Sequence, residues 1–211
     1  MRLTVFGASG GTGQQVVRQA LARGHEVSAV VRRPAAVTLT HERLRVLRGD
    51  VLDADSLAGA VEGAQAVLSA LGIGAQRAPT TLYSEGTSHI IAAMRAAGVS
   101  RLVGISAVVA GPWDDASPFE RRLLYPLLQR FFGASYDDMR RMEDIVAHSD
   151  IDWTIFRPPR LTNAAARGTY RASTAGPVRR ARAITRGDLA RAMIDAVADD
   201  SLVRRAVTIA N

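Results

Sequence analysis

The residues with the plainest chemistry stand at the start of the chain. Met-Arg-Leu-Thr-Val-Phe runs into Gly7-Ala-Ser-Gly10-Gly-Thr-Gly13, and a helical pattern follows over residues 14–23. A Gly-x-x-Gly-x-x-Gly turn between a short apolar strand and a helix is built to take an anion. Gly7 permits the tight turn, Gly10 lets the backbone approach a phosphate, and Gly13 lets the helix pack close to the strand. Unpaired N–H groups and the positive dipole end of the helix then face the ligand. Three such glycines alone say little. Placed directly after a first strand, they point to a dinucleotide pyrophosphate.

The second strand, over 26–31, carries the next clue. Its C-terminal end sits beside the adenosine ribose in such a fold, where an Asp or Glu would bond the ribose hydroxyls of NAD. This chain has Arg32 and Arg33 there instead. A carboxylate would repel a 2′-phosphate, whereas a guanidinium grips one through two charge-assisted hydrogen bonds. The expected cofactor is therefore NADP(H). Arg32 is the better candidate because it directly follows the strand; the alternative is that both arginines are solvated loop residues.

These groups need a scaffold, and the chain alternates strand and helix patterns to its end. A third strand is expected over 44–47, followed by Asp53 as the N-cap of a helix reaching residue 62. Strands follow over 65–71 and 101–106, with a helix over 81–97 between them that Gly98 stops. A long irregular stretch covers 107–133, then a helix over 136–149 and a strand over 152–157. Arg157-Pro-Pro-Arg160 forces the chain out of that strand. Thr185 and Asp188 open a helix to about residue 198 in capping-box fashion, and 206–210 reads as the last strand. This order predicts one doubly wound α/β domain of Rossmann type over 1–211, a parallel sheet with helices on both faces.

Ligands of such sheets bind beyond the carboxyl ends of the strands. That rule selects the glycine turn, Arg32 and Arg33, Asp50 and Val51, Leu71 and Gly72, Ser106 and Ala107, and Pro158 to Arg160. Each group alone is compatible with ordinary turn chemistry. Together they form a rim.

Composition sets limits. The chain has 211 residues, 47% hydrophobic and 22% charged, with a net charge of +7 and no cysteine. Disulfides, a thiolate nucleophile and cysteine metal sites are excluded, and no metal site is expected. No apolar run is long enough to span a bilayer, and the first strand begins at once, so a cytoplasmic protein is expected. All 27 basic residues are arginine. Eight of them lie between Trp153 and Gly187 with no acidic residue among them, which suits an anion or a basic surface loop. No recognition motif accompanies the charge, so nucleic acid is not an expected partner.

In order, Gly7–Gly13, Arg32, Gly49-Asp50-Val51, Leu71-Gly72, Pro79-Thr80-Thr81, Ser84-Glu85-Gly86, Ala92-Ala93-Met94, Gly98-Val99 and Ser106-Ala107 resemble the atypical short-chain dehydrogenase/reductases. The resemblance is to the biliverdin reductase B/flavin reductase type and its NmrA-like relatives. It spans the chain, strongest over 1–107 and weaker over 111–134. It implies that Gly7, Ser9, Gly10, Gly11, Thr12 and Gly13 form the pyrophosphate loop and that Arg32 meets the 2′-phosphate. Asp50 and Val51 would lie by the adenine, Leu71 and Gly72 by the ribose chain, and Ser106 at the nicotinamide end. A histidine follows the paired prolines in the flavin reductase; here it is Arg160, which can hold a carboxylate, phenolate or enolate oxygen.

Ordinary alcohol–ketone chemistry in this superfamily uses Tyr-x-x-x-Lys, the lysine lowering the tyrosine pKa. Tyr136 stands four residues before Arg140, and a chain without lysine cannot build that pair. The spacing favours an exposed helix face for Arg140, with electrostatic help to Tyr136 as the alternative. None of the four histidines, His25, His41, His89 and His148, stands where a catalyst is required. Hydride transfer from NADPH to an electron-poor conjugated acceptor needs no such acid, since water can supply the proton. Flavins, quinones and tetrapyrrole- or polyketide-like systems qualify, with Ser106 orienting and Arg160 stabilising charge.

A substrate cover is expected over about 107–135, and a small substrate-side portion over about 157–187. Trp113 and Tyr125 are candidates to stack on a flat substrate. The apolar residues over 119–132, interrupted by Pro126, read equally as a lid, a core helix or a dimer face of a monomeric or homodimeric protein. Two other function classes stay open: an isomerase, epimerase or dehydratase that retains its nucleotide, and a non-catalytic NmrA-like NADP(H) sensor.

Overall fold

Leu3 and Val5 point to one side of the first strand and Phe6 to the other, and the same alternation recurs across the sheet. The computed structural model describes residues 1–74, 78–112, 118–179 and 181–211. The strands begin with β1 (Arg2–Phe6), β2 (Glu26–Val31), β3 (Leu44–Arg48), β4 (Ala66–Ser69) and β5 (Arg101–Ile105). They continue as β6 (Asp152–Arg157), β7 (Arg160–Thr162), β8 (Arg171–Ser173), β9 (Ala183–Thr185) and β10 (Arg205–Ala210). The helices are α1 (Gly11–Ala22), α2 (Ser84–Ala96), α3 (Tyr125–Ala147) and α4 (Arg186–Asp195).

One sheet runs β3-β2-β1-β4-β5-β6-β10-β8, parallel except for the edge strand β8. The order reverses between β1 and β4, the switch point of a doubly wound Rossmann-like sheet. Val16, Val17 and Leu21 of α1 and Leu189 and Met193 of α4 cover the face that carries Val5 and Val27. Ile90, Ile91 and Met94 of α2 and Met142 and Val146 of α3 cover the face that carries Phe6 and Leu102. β7 and β9 form a separate parallel pair.

Several expectations are corrected. The helix expected over 53–62 is one 3-10 turn, Ala54–Leu57, followed by turns. Gly59 and Gly63 take φ of +75° and +65°, which a helix cannot contain. Asp53 makes no side-chain cap; Ser56 Oγ donates to the Asp53 and Asp50 carbonyls instead. The irregular stretch ends earlier than expected, at a π-type turn over Glu120–Leu124 that leads straight into α3. Pro126 stands just after that π-type turn, so the regular α-helical pattern over 119–132 is interrupted there, as expected. Phe119, Leu123 and Leu127 stay exposed, so this helix start is not a core helix. The short strands β7, β8 and β9 lie in the stretch where no strand is expected.

Two contacts position the site. Gly7 has φ +71°, and a Cβ there would lie 2.5 Å from the Ala70 carbonyl oxygen. A Cβ on Gly13 would lie 2.1 Å from the Gly7 carbonyl oxygen. Strand, turn and helix are thus in backbone contact. At the far side, Asp138 of α3 is fully buried and caps α2 across the helix pair. Its carboxylate accepts from the Tyr83 N–H at 2.8 Å, the Ser84 N–H at 3.4 Å, the Ser84 hydroxyl and the Arg141 guanidinium.

Gly13→Ala is expected to lower stability by about 1–3 kcal/mol in urea unfolding, because both neighbours of the new methyl are backbone. Asp138→Ala leaves buried donors at the start of α2 unpaired and is expected to cost about 3 kcal/mol. A change in either variant too small to resolve from wild type in the unfolding midpoint would contradict the packing described here.

Candidate functional site

The exits of β1 to β5 converge on one cleft of about 400 Å³. From β1 come Gly7, Ser9, Gly10, Gly11 and Thr12; Arg32 enters from β2, Asp50 and Val51 from β3, Leu71 and Gly72 from β4, and Ser106 from β5. Each group is held by its own local chemistry. The Gly10 N–H donates to the Gly7 carbonyl at 3.0 Å, closing the turn. The Asp50 N–H donates to Ser56 Oγ at 2.9 Å, and Asp50 Oδ1 accepts from the Leu52 N–H at 3.1 Å. His89 of α2 bonds the Val51 carbonyl at 2.8 Å. Gly86 lets α2 come up beneath, since a Cβ there would meet Val51 Cγ2 at 2.8 Å.

Two features of the cleft point to an anionic, polar ligand. α1 starts with no side-chain cap and no acidic residue in its first turn, so its leading N–H groups and dipole end are directed at the cleft. Ser106 is 3% exposed and its hydroxyl has no hydrogen-bond partner among the described residues. A buried hydroxyl without a partner costs free energy unless a ligand completes it. These residues fit a dinucleotide: a backbone cradle at the turn, an exposed guanidinium at the β2 exit, and a polar atom awaiting a partner at the β5 exit.

Other expected site residues lie elsewhere. Gly13 packs beneath the turn. Arg33 is exposed and starts a short 3-10 turn without lining the cleft. Ala107 precedes another such turn, and the Pro158 carbonyl accepts from the Val108 N–H at 3.0 Å; neither lines the cleft. Arg160 is exposed at the start of β7 and lines no part of it. Tyr136 is half-buried and stands edge-on to Phe132 with ring centres 6.4 Å apart, and burial pushes its phenol up. Arg140 is half-buried rather than on an open helix face. It donates to Asp137 at 2.6 Å, to the Val109 carbonyl at 3.1 Å and to Gln129 at 3.3 Å.

Tyr125 lines a second cavity of about 250 Å³ with Val108, Glu120, Arg157 and Pro159. Burial and the nearby Glu120 carboxylate push its phenol up to about 12. Trp113 lies outside the described residues. Among those residues no cluster of metal-ligating side chains occurs, and no helix is long and apolar enough to cross a membrane.

Among the cleft residues that sequence reasoning missed are Tyr83, Met139, Leu161 and Arg186. Tyr83 precedes α2; its hydroxyl accepts from the Ile73 N–H at 3.4 Å, and burial, Asp138 and Tyr136 raise its pKa. Met139 comes from α3, Leu161 from β7 and Arg186 from the first turn of α4. Only Arg186 carried a signal, as the last arginine of the acid-free run.

Comparisons with known proteins agree with this geometry. A 3-diazoavenalumate denitrifying reductase of a Streptomyces species is 34% identical over 170 residues, covering 74% of this chain and 55% of that protein. The chain therefore spans little more than half the length of that relative. Among solved structures, a Veillonella parvula short-chain dehydrogenase/reductase in complex with NADP superposes with a TM-score of 0.80 at 18% identity, covering 100% of this chain and 94% of that one. ChuY, an anaerobilin reductase of Escherichia coli O157:H7, superposes with a TM-score of 0.80 at 22% identity, covering 100% and 97%. At those identities the structural likenesses establish the fold. The family model described as NAD(P)H-binding matches residues 7–200, and the chain belongs to that NAD(P)H-binding family.

Proposed function

We propose that this protein is an NADPH-dependent reductase that acts on a flat conjugated acceptor such as a flavin, a quinone or a polyketide-like ring. The observation that carries the nucleotide choice is Arg32, exposed at the β2 exit and lining the cleft where an NAD site would offer a carboxylate. Its guanidinium would pair with the 2′-phosphate. The turn from Gly7 to Thr12 would hold the pyrophosphate, Asp50 and Val51 the adenine, and Leu71 and Gly72 the ribose chain. Bound NADPH supplies the hydride.

Ser106 would donate its hydroxyl at the nicotinamide end, to the carboxamide or to the acceptor oxygen. The chain contains no lysine, so no Tyr–Lys pair exists to lower a phenol pKa. Tyr136, with its pKa raised by burial, lines neither the cleft nor the 250 Å³ cavity. That supports an acceptor whose proton comes from water. The acceptor would sit between the cover over 107–135 and the portion over 157–187, both of which line the 250 Å³ cavity. Arg160 lines neither the cleft nor this cavity, and would meet an acidic oxygen of an acceptor that projects past its neighbour Pro159, which does line the cavity. The reductase name of the Streptomyces relative supports this reading over nucleotide-retaining isomerisation.

Arg32→Ala is expected to weaken NADPH binding by about tenfold or more, roughly 1.4 kcal/mol, and to leave NADH binding unchanged in a fluorescence titration. Equal binding of NADH and NADPH by the wild type would overturn the argument. Ser106→Ala is expected to lower kcat with flavin mononucleotide or a quinone by about 10- to 100-fold, with an unfolding midpoint close to wild type. An unchanged kcat would remove Ser106 from the reaction.

A further inference from the structure

Arg186 stands apart from the other cations of the C-terminal third. It is the first residue of α4, half-buried, and lines the dinucleotide cleft. Its side chain runs across the first residue of α1: a Cβ on Gly11 would lie 2.9 Å from both Arg186 Cδ and Nε. A side chain at residue 11 would have to push the arginine aside. The guanidinium then ends on a neutral group, donating to Asn163 Oδ1 at 2.6 Å.

No carboxylate among the described residues forms an ion pair with Arg186. The nearby Asp188 is already committed. It accepts from the Thr185 hydroxyl at 2.7 Å, the Arg167 and Gly168 N–H groups at 2.9 Å each, and Asn211 at 2.9 Å. A guanidinium therefore lies against the uncapped, electropositive start of α1. Two positive ends brought together with no anion between them repel, and a bound anion turns that repulsion into two attractions.

We propose that Arg186 is a strap over the cofactor diphosphate, binding the pyrophosphate beside the glycine turn where it crosses Gly11, while Arg32 reads the 2′-phosphate. This rests on the dinucleotide reading of the cleft. The strap and its resting partner Asn163, which directly follows β7, both belong to the 157–187 portion. On binding, the guanidinium would exchange or share that amide for phosphate oxygens.

Fragments of the cofactor separate the two arginines. ADP-ribose carries the pyrophosphate without a 2′-phosphate, and 2′-AMP carries a 2′-phosphate without a pyrophosphate. Calorimetric titration of wild type, Arg186→Ala, Arg186→Gln and Arg32→Ala with both fragments and with NADPH is the test. Both Arg186 variants are expected to weaken ADP-ribose and NADPH about tenfold or more and to hold 2′-AMP within about twofold of wild type. Arg32→Ala is expected to do the reverse with the fragments. Unfolding midpoints identify any variant that fails to fold, and the Gln variant retains the long polar side chain at the helix start. Unchanged ADP-ribose affinity in well-folded Arg186 variants overturns the strap, as does an equal loss of 2′-AMP. If wild type binds neither ADP-ribose nor NADPH, the dinucleotide reading falls and the strap with it.

Discussion

The contact on which the site depends is between backbones. Gly13 lies so close to the Gly7 carbonyl that a methyl group would not fit, and Gly7 lies equally close to the end of β4. This fixes α1 against β1 and aims its first N–H groups past the turn. Any side chain would push the helix outward, and the dipole end would lose its register with the other strand exits. The rest of the rim needs less of the backbone. Arg32, Asp50, Leu71 and Ser106 are carried to the cleft because parallel strands end together, whatever their side chains are.

That difference explains what the sequence discloses. The glycine turn was legible because backbone geometry demands a residue type, and the strand exits were legible because the topology follows from strand–helix alternation. Sequence order alone also places Ser106 at a strand end, although not its unpartnered hydroxyl. Asp138 was illegible. Local rules look for a cap within the same helix, and this one reaches α2 from 54 residues away. Pro126 was legible as an interruption, and the π-type turn just before it is where the helical pattern departs from α geometry. Tyr83, Met139, Leu161 and Arg186 come from segments whose packing decides their direction, and no short-range pattern encodes that.

A chain that uses arginine for every cation must also sort its arginines. Arg101 is buried, and its guanidinium donates to the Ala196 and Val197 carbonyls after α4, to the Asp152 carbonyl and to Thr154. Burial lowers its pKa, yet five donors in a fixed fork satisfy several carbonyls at once, which an ammonium could not do. Arg157 forms a two-pronged pair with Glu143 that joins β6 to α3. These cations have permanent partners and serve the fold. Arg32 and Arg186 line the cleft without forming an ion pair among the described residues. Charge count alone could not have separated them; the supply of counter-charges does.

The same logic ties the two ends of the site together. Asp188 is buried, and burial alone would raise its carboxyl, but the Arg167 and Gly168 N–H groups, Thr185 and Asn211 hold it below the usual range. This knot fastens the loop after β7, the start of α4 and the end of β10 to one carboxylate. It sets where Arg186 leaves its helix and where the 157–187 portion sits relative to α1. Because folding favours the ionised carboxylate, its contribution is present above the ordinary carboxyl pKa and is lost as pH falls through the depressed one. A single buried anion thus ties the loop after β7 and the end of the chain to the start of α4. The cation it does not neutralise, Arg186, is left to line the cleft.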